Sequence, residues 1–494
     1  MPSSEINRRE FIRVSAAGAA GLGLLAQSGG AEQASTPPAG RKPMVGIQLG
    51  AASLAQDPGR VLDDVGRRAG VNTLFPFIYS HVSTWAGLPA AGFRGGNFAV
   101  PHLEYYKDTN LTFADMRAPE FGDADLLARL IPAARERGMK TFAWILEDNV
   151  RPPVAHWEAL YEVDFHGRRT NRHPSGPCYN NPLYRGFLLG LVEDYARSYE
   201  IDGLMWASER QGGLLNALGA YHNGASADPG QATCFCEFCQ QKARSQGIDV
   251  ERARAGFTAL EAFVRAGRAH RRPADGYHVA FWRILLNHPE LLAWENLWVR
   301  SREEVQIAIY HKVKSIKPGL QVGWHLWHNV SFSPFHRAEE DYAAMTAYSD
   351  FLKPVLYSNC AGRRMQQFIE STRENVFGDL TDQQALDFGY RVLDYNEAPW
   401  DRVATTGFSG DYVRRETQRT RDAVAGTATV VWPGIDIDVQ WEGVGPCTPE
   451  GVKQSVLGAF HGGADGVLLS RNYSEMKPEN LSGAGAALKE LGLM

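Results

Sequence analysis

Short apolar runs alternate with helical, amphipathic stretches along most of this chain, and that alternation restricts its possible architecture more than any other feature. The apolar runs are Val45 to Leu49, Thr73 to Ile78, Thr141 to Leu146, Ile201 to Ala207, Gln321 to Trp327, Leu352 to Tyr357, Thr427 to Trp432 and Gly466 to Ser470. Between them, Asp123 to Arg137 opens on acidic residues and stops before Gly138, and Pro182 to Tyr199 places Leu183, Phe187, Leu191 and Tyr195 on one face. Further helices are expected over Ser301 to Ile316, Ala338 to Tyr348, Asp411 to Ala425 and Pro449 to Phe460. About eight strand and helix units are what closes a parallel sheet on itself, so the expected fold is a (β/α)8 TIM barrel with elaborated βα loops. No repeat of solenoid length is visible, and residues 41–494 read as a single domain with a cysteine-rich insertion at about 208–300.

The first forty residues read differently. Asn7-Arg8-Arg9-Glu10-Phe11-Ile12-Arg13 precedes a weakly apolar Ala/Gly/Leu run from Val14 to Ala26, the pattern of a twin-arginine export signal. That run is shorter than the roughly 20 apolar residues that span a bilayer, so no stable membrane anchor is expected. Residues 1–40 are therefore assigned to a signal and tether, the partner is the twin-arginine export machinery, and the location is periplasmic or secreted. The composition of the whole chain is that of a sizeable globular protein, with 494 residues, 44% of them hydrophobic. A formal net charge of -5 without a polycationic block outside the N-terminus argues against nucleic acid as a partner.

Cys178 stands upstream of Cys234, Cys236 and Cys239, which are crowded into Cys-Phe-Cys-Glu-Phe-Cys. Thiols this close favour a metal over disulfides, and four thiolates close a tetrahedral shell around zinc, leaving no position for water. Such a zinc is structural. Cys360 and Cys447 have no comparable neighbours and read as buried thiols or one disulfide.

A parallel barrel gathers function at the carboxyl ends of its strands. Those ends carry Gln48, then Tyr79 and His81, Glu147 and Asp148, Glu209 and Arg210, His325 and His328, Tyr357 and Asn359, Asp436 and Asp438, and finally Arg471, Asn472 and Tyr473. Carboxylates, amides and aromatics suit a sugar, whose hydroxyls need hydrogen bonds and whose apolar faces stack on rings. Trp206 and Trp432 lie close to these ends, as do Trp144, Trp324, Trp327 and Trp441. Glu147 and Asp148 either bind substrate or cap the next segment, and His102, Tyr105 and Tyr106 read as a wall of the cleft. His325 and His328 would point oppositely on a strand, so each is expected to contact sugar singly rather than share a metal.

The run Cys178-Tyr-Asn-Asn-Pro-Leu-Tyr-Arg185, a helix, a strand ending in Glu209 and then Cys234-Phe-Cys236-Glu-Phe-Cys239 resembles the catalytic domain of family 42 β-galactosidases, which are clan A glycoside hydrolases. The resemblance implies zinc at Cys178, Cys234, Cys236 and Cys239, with Glu209 as the acid/base. It covers about Cys178 to Gln240. Ser208 stands where that clan has an asparagine, and Asp436 and Asp438 stand where it has a glutamate nucleophile, with Glu442 a little further on. Glycoside cleavage needs one carboxyl to deliver a proton and another to attack carbon or activate water. Glu209 is expected in the first role, beside Trp206, and Asp436 or Asp438 in the second, with Asp436 nearer the strand.

The expected protein is thus an exported glycoside hydrolase of retaining type acting on an oligo- or polysaccharide. Two alternatives remain at this point. One is a divalent-metal sugar isomerase, epimerase or lyase holding its ion on Glu147, Glu209, His325 and Asp436. The other is a barrel that binds carbohydrate without turning it over.

Overall fold

The computed structural model describes residues 42–494 apart from 81–95, 108, 110–111, 113–115, 118–122, 148–158, 171–175 and 440–441. The expected export signal and tether, His81, Asp148 and Trp441 lie outside the described residues.

Parallel strands form the frame: β1 (Met44–Leu49), β2 (Thr73–Ser80), β3 (Lys140–Glu147), β4 (Gly203–Ser208), β5 (Gln321–Leu326) and β6 (Phe351–Pro354). A seventh strand, β7, runs as two pieces, Val430–Val431 and Gly434–Asp436, and β8 is Gly466–Ser470. Neighbours in sequence are neighbours in the sheet, from β1 beside β2 through to β8 beside β1. The ring closes at β7. Its first piece pairs with β6, its second with β8, and a bridge from Val355 to Gly434 joins the two. Pro433 explains the interruption, because proline has no N–H to continue a ladder. A (β/α)8 TIM barrel results, as the alternation of the sequence implies.

Boundaries moved where a local residue overrode the pattern. The sixth strand stops at Pro354 instead of running to Tyr357, again for want of a donor, although the Leu356 amide still reaches the Gly434 carbonyl at 2.9 Å. The seventh lies further on than Thr427 to Trp432. One helix expected over Ala338 to Tyr348 is three short pieces, because Asp341 accepts from the Ala344 amide and starts a new helix after Pro334–Glu339. Conversely, Ser301 to Ile316 is only the second half of a helix spanning Glu290–Ile316.

The two ends of the lumen differ. Phe75, Phe142, Phe351 and Trp432 fill the lower part with ring centroids between 4.3 and 6.5 Å apart. This aromatic plug is a packed core and offers no ligand a path. Room for it comes from glycines on adjacent strands: a Cβ at Gly323 would sit 2.4 Å from both the Phe351 ring and the Phe351 carbonyl oxygen. Glu209, His325 and Lys353 lie above the plug, at the carboxyl ends. Gly323→Ala should therefore cost about 1–3 kcal/mol of stability through overpacking, measured as a lower urea midpoint with an unchanged slope.

Candidate functional site

Strand β4 ends at Ser208 and the chain runs on through Glu209 and Arg210; the period of two, carried on from the strand, sends Ser208 and Arg210 away from the lumen and Glu209 into it. The outer pair is anchored behind the wall. Arg210 is fully buried, with Nη1 2.6 Å from Glu147 Oε1 and Nη2 2.9 Å from Glu162 Oε1. Its Nη1 also donates to the Pro177 carbonyl, and its guanidinium lies 4.4 Å over the Tyr179 ring. The Tyr179 hydroxyl donates to Glu147 Oε2 at 2.7 Å and sits 2.5 Å from Ser208 Oγ. Glu162 accepts further from Thr233 Oγ1 and Trp298 Nε1. Burial pushes the Glu162 carboxyl above its ordinary range while Arg210 pulls it back.

Two expectations fall here. Glu147 does not reach a cleft, because its carboxylate faces outward and is taken up by Arg210 and Tyr179. Trp206 also faces outward, packed edge-on against Trp324 at 6.2 Å, so it is neither a sugar platform nor a neighbour of the Glu209 carboxyl. Both sit on the helix side of the wall. Without Glu147, the four-ligand set of a sugar isomerase is not assembled. Among the described residues, the sole group of His, Cys, Asp and Glu side chains with ligand spacing is the cysteine cluster.

Glu209 keeps 22% of its side-chain exposure and meets His325, whose Nε2 is 3.3 Å from Oε1. His325 lies on the lumen face of β5, stacked on Trp144 at 5.8 Å. On its other side, Nδ1 is 3.2 Å from Nζ of Lys353, which also lies 3.3 Å from the Tyr357 hydroxyl. Burial, then the Lys353 charge, push His325 down to about 4, so the ring is neutral at neutral pH. Lys353 itself is driven well below its ordinary value by burial, which the Glu209 charge partly opposes. Lys353 escaped the sequence reading. Its signal was a lone cation inside the apolar run Phe351-Leu-Lys-Pro, on the lumen face by alternation. Gly434 makes space for it, since a Cβ there would be 2.5 Å from Nζ.

His328 plays a supporting part rather than touching a ligand. It is 1% exposed, with Nδ1 2.6 Å from Arg364 Nη1 and Nε2 3.0 Å from the Tyr412 hydroxyl. Arg364 has no acceptor atom, so Nδ1 accepts and Nε2–H donates to Tyr412. Tyr357 packs between this pair and Lys353, with the Arg364 guanidinium 5.8 Å from its ring.

The ends of β7 and β8 separate the remaining residues. Asp436 faces the lumen side shared with Gly434, but it is 2% exposed and accepts from the amides of Asn359 and Cys360 at 3.4 and 3.3 Å. Those amides open the helix Ser358–Arg373, so Asp436 caps it from outside. Burial pushes its carboxyl up to about 6 against those two amides. Asp438 is not a second carboxylate of the site. Its side chain is fully buried, accepting from the Lys477 amide and from Asn480 Nδ2 at the start of the helix Pro478–Glu490.

Trp432 belongs to the aromatic plug, at the opposite end of the barrel from Glu209. Tyr473 leans outward to Asp64 Oδ2 at 2.9 Å, and Glu442 is exposed. Asn359 uses its side-chain amide on the Gly445 carbonyl, while Arg471 pairs with Glu475 at 2.8 and 3.0 Å. Tyr106 and His102, read as cleft wall, bond to the buried Asp194 of the helix Pro182–Ser198 instead. Tyr105 packs partly buried on the core.

Cys178, Cys234, Cys236 and Cys239 come together with all four Sγ atoms within 4.8 Å of one another. Cys178 Sγ lies 3.5 Å from Cys236 Sγ and 3.4 Å from Cys239 Sγ, and all six cysteines are free thiols. The donor set fits a tetrahedral metal, whose Sγ to Sγ edges are about 3.8 Å for bonds near 2.3 Å. Asn180 supplies outer donors, its amide to Cys178 Sγ and its Nδ2 to Cys239 Sγ. Cys360 and Cys447 are separately buried and unpaired with each other.

No family model matches this chain, and no curated protein matches it. Among solved structures, α-L-fucosidase isoenzyme 2 from Paenibacillus thiaminolyticus aligns at 13% identity over 92% of this chain and 49% of its own, with a TM-score of 0.46. A polyextremophilic β-galactosidase from the Antarctic haloarchaeon Halorubrum lacusprofundi aligns at 15% identity over 91% and 58%, with a TM-score of 0.49. The PgaB glycoside hydrolase domain from Bordetella bronchiseptica aligns at 12% identity over 92% and 98%, with a TM-score of 0.48. This chain spans about half the length of the fucosidase and 58% of the β-galactosidase.

Arg210→Met should be strongly destabilising, by about 3–5 kcal/mol, because it leaves Glu147 and Glu162 buried without their cation. Denaturant unfolding reads the loss. Adding Glu147→Gln and Glu162→Gln to Arg210→Met should recover part of it.

Proposed function

We propose that this protein is a glycoside hydrolase in which Glu209 delivers a proton to the glycosidic oxygen. The observation that carries the reading is a pairing: the four-thiol cluster implied by the family 42 resemblance assembles, and the glutamate of the same motif faces the lumen, partly exposed and clear of Arg210. A carboxyl at that depth can meet a ligand while its neighbours keep its direction fixed. Asp436 is the proposed second carboxylate, being the one on the lumen side of β7, and attack by it on carbon would make the enzyme retaining. Polar atoms of the upper lumen favour a polyhydroxylated ligand. The Gln48 side-chain amide and the Trp144 Nε1 are buried without hydrogen-bond partners among the described residues, and sugar hydroxyls would satisfy them.

The sequence elements outside the barrel fit this reading. Zinc is the metal proposed for the thiols, held by Cys178, Cys234, Cys236 and Cys239, where it joins the loop before the helix Pro182–Ser198 to the long β4 to β5 connection. It would act by bracing that wall. Export by the twin-arginine route, proposed from Arg8-Arg9, would carry the folded, metal-loaded chain to the periplasm or beyond.

Hydrolysis of aryl glycosides by the purified protein, with kcat falling about 10²–10⁴-fold in Glu209→Gln, is the expected result. Ligand binding that persists at wild-type strength with no turnover in either protein would favour the non-catalytic reading. The anomer first released, followed by proton NMR, tests retention. For the metal, elemental analysis should find about one zinc per chain, and Cys236→Ser should lose it together with thermal stability.

A further inference from the structure

Glu209, His325 and Lys353 are joined by a chain of contacts along the lumen. Glu209 Oε1 meets His325 Nε2 at 3.3 Å, and His325 Nδ1 meets Lys353 Nζ at 3.2 Å. The imidazole is the middle member and has one nitrogen on each neighbour. The ring cannot turn freely, because it is 6% exposed and stacked on Trp144. Lys353 is fully buried, and its Nζ has the Tyr357 hydroxyl and ring as its other company. Beyond these stand Arg364 behind Tyr357, Asp436 on the helix amides, and Arg471 on Glu475. A fully buried cation held between His325 and Tyr357 has no surface role to perform.

We propose that this chain is a proton relay that arms Glu209: Lys353 is its store, His325 its carrier. This rests on the reading of Glu209 as the proton donor. In one form Lys353 is an ammonium donating to Nδ1, His325 carries its proton on Nε2, and Glu209 is a carboxylate. In the other, the Nζ proton has moved to Nδ1 while the Nε2 proton has moved to Glu209 Oε1. The second form holds a neutral amine, a neutral imidazole and a protonated carboxyl. Burial favours it, because no separated charges remain in the lumen, and the depressed basicity of Lys353 and His325 accords with that.

Protons balance across the cycle. Armed Glu209 gives its proton to the leaving oxygen as the C–O bond breaks, and the water that completes hydrolysis returns one proton to Glu209. The chain is then back in its armed form, with no net change in its protons. Lys353 and His325 are positioning residues here, since both act through Glu209 and neither touches the bond that breaks.

The test uses Lys353→Met, whose unbranched side chain fills the same slot beside Gly434. Proton donation matters for a poor leaving group and hardly for a good one. The relay therefore predicts that kcat/KM falls at least about 30-fold further on a methyl glycoside than on the 2,4-dinitrophenyl glycoside of the same sugar. Equal falls on both would overturn it.

A second measurement stands apart from activity. In full-length protein with ¹⁵N-labelled histidine, His325 should change its tautomer population on Lys353→Met between pH 5 and 9, because Nδ1 loses the amine it meets at 3.2 Å. Identical ring-nitrogen spectra in both proteins would overturn the relay. Should wild type cleave no glycoside while the tautomer still responds, the hydrolase reading fails and the coupling of Lys353 to Glu209 through His325 stands.

Discussion

The buried guanidinium of Arg210 is the element on which the site depends. Taking a cation fully out of water is expensive, and it is tolerated here because Glu147 and Glu162 flank it and the Tyr179 ring covers it. Those contacts draw Arg210 behind the barrel wall. Ser208 is drawn the same way by Tyr179. A strand whose outer residues are tied back has one direction left for the residue between them, so Glu209 faces the lumen. Cys178, adjacent to Tyr179, and Cys234, adjacent to Thr233, bring the thiol cluster to the same network, and a metal there would brace it.

Above the aromatic plug the lumen changes character within one turn of side chains. Phe75, Phe142, Phe351 and Trp432 exclude water below, and Glu209, His325, Lys353 and Tyr357 meet above. Low polarity beneath such a cluster strengthens each electrostatic contact in it and penalises stray charge. A neutral histidine and a lysine of depressed basicity follow from that setting. They make the cluster suited to moving a proton over a short distance.

Much of this is legible in the sequence itself. Strands buried on both faces read as plain apolar runs, and the eight of them gave the barrel. The cysteine spacing marked the thiol cluster, and the end of the fourth strand, with the family resemblance, marked Glu209. What the sequence hid was direction. Glu147, Asp438 and Tyr473 stand at strand ends like true site residues, yet Arg210, the amide of Lys477 and Asp64 turn each of them into the framework. No local pattern records partners so distant in sequence. Lys353 was overlooked for the converse reason, because a lysine in a strand is ordinarily exposed. Only the glycine at 434 and the histidine at 325 make an inward lysine possible.

The role proposed for Glu209 requires its carboxyl to meet the bond to be broken. A crystal structure of Glu209→Gln with an oligosaccharide substrate bound examines it most directly. The expected result is a glycosidic oxygen within hydrogen-bond distance of the residue-209 side chain, above His325 and Lys353. A sugar seated elsewhere on the molecule, with residue 209 contacting only protein, would contradict it.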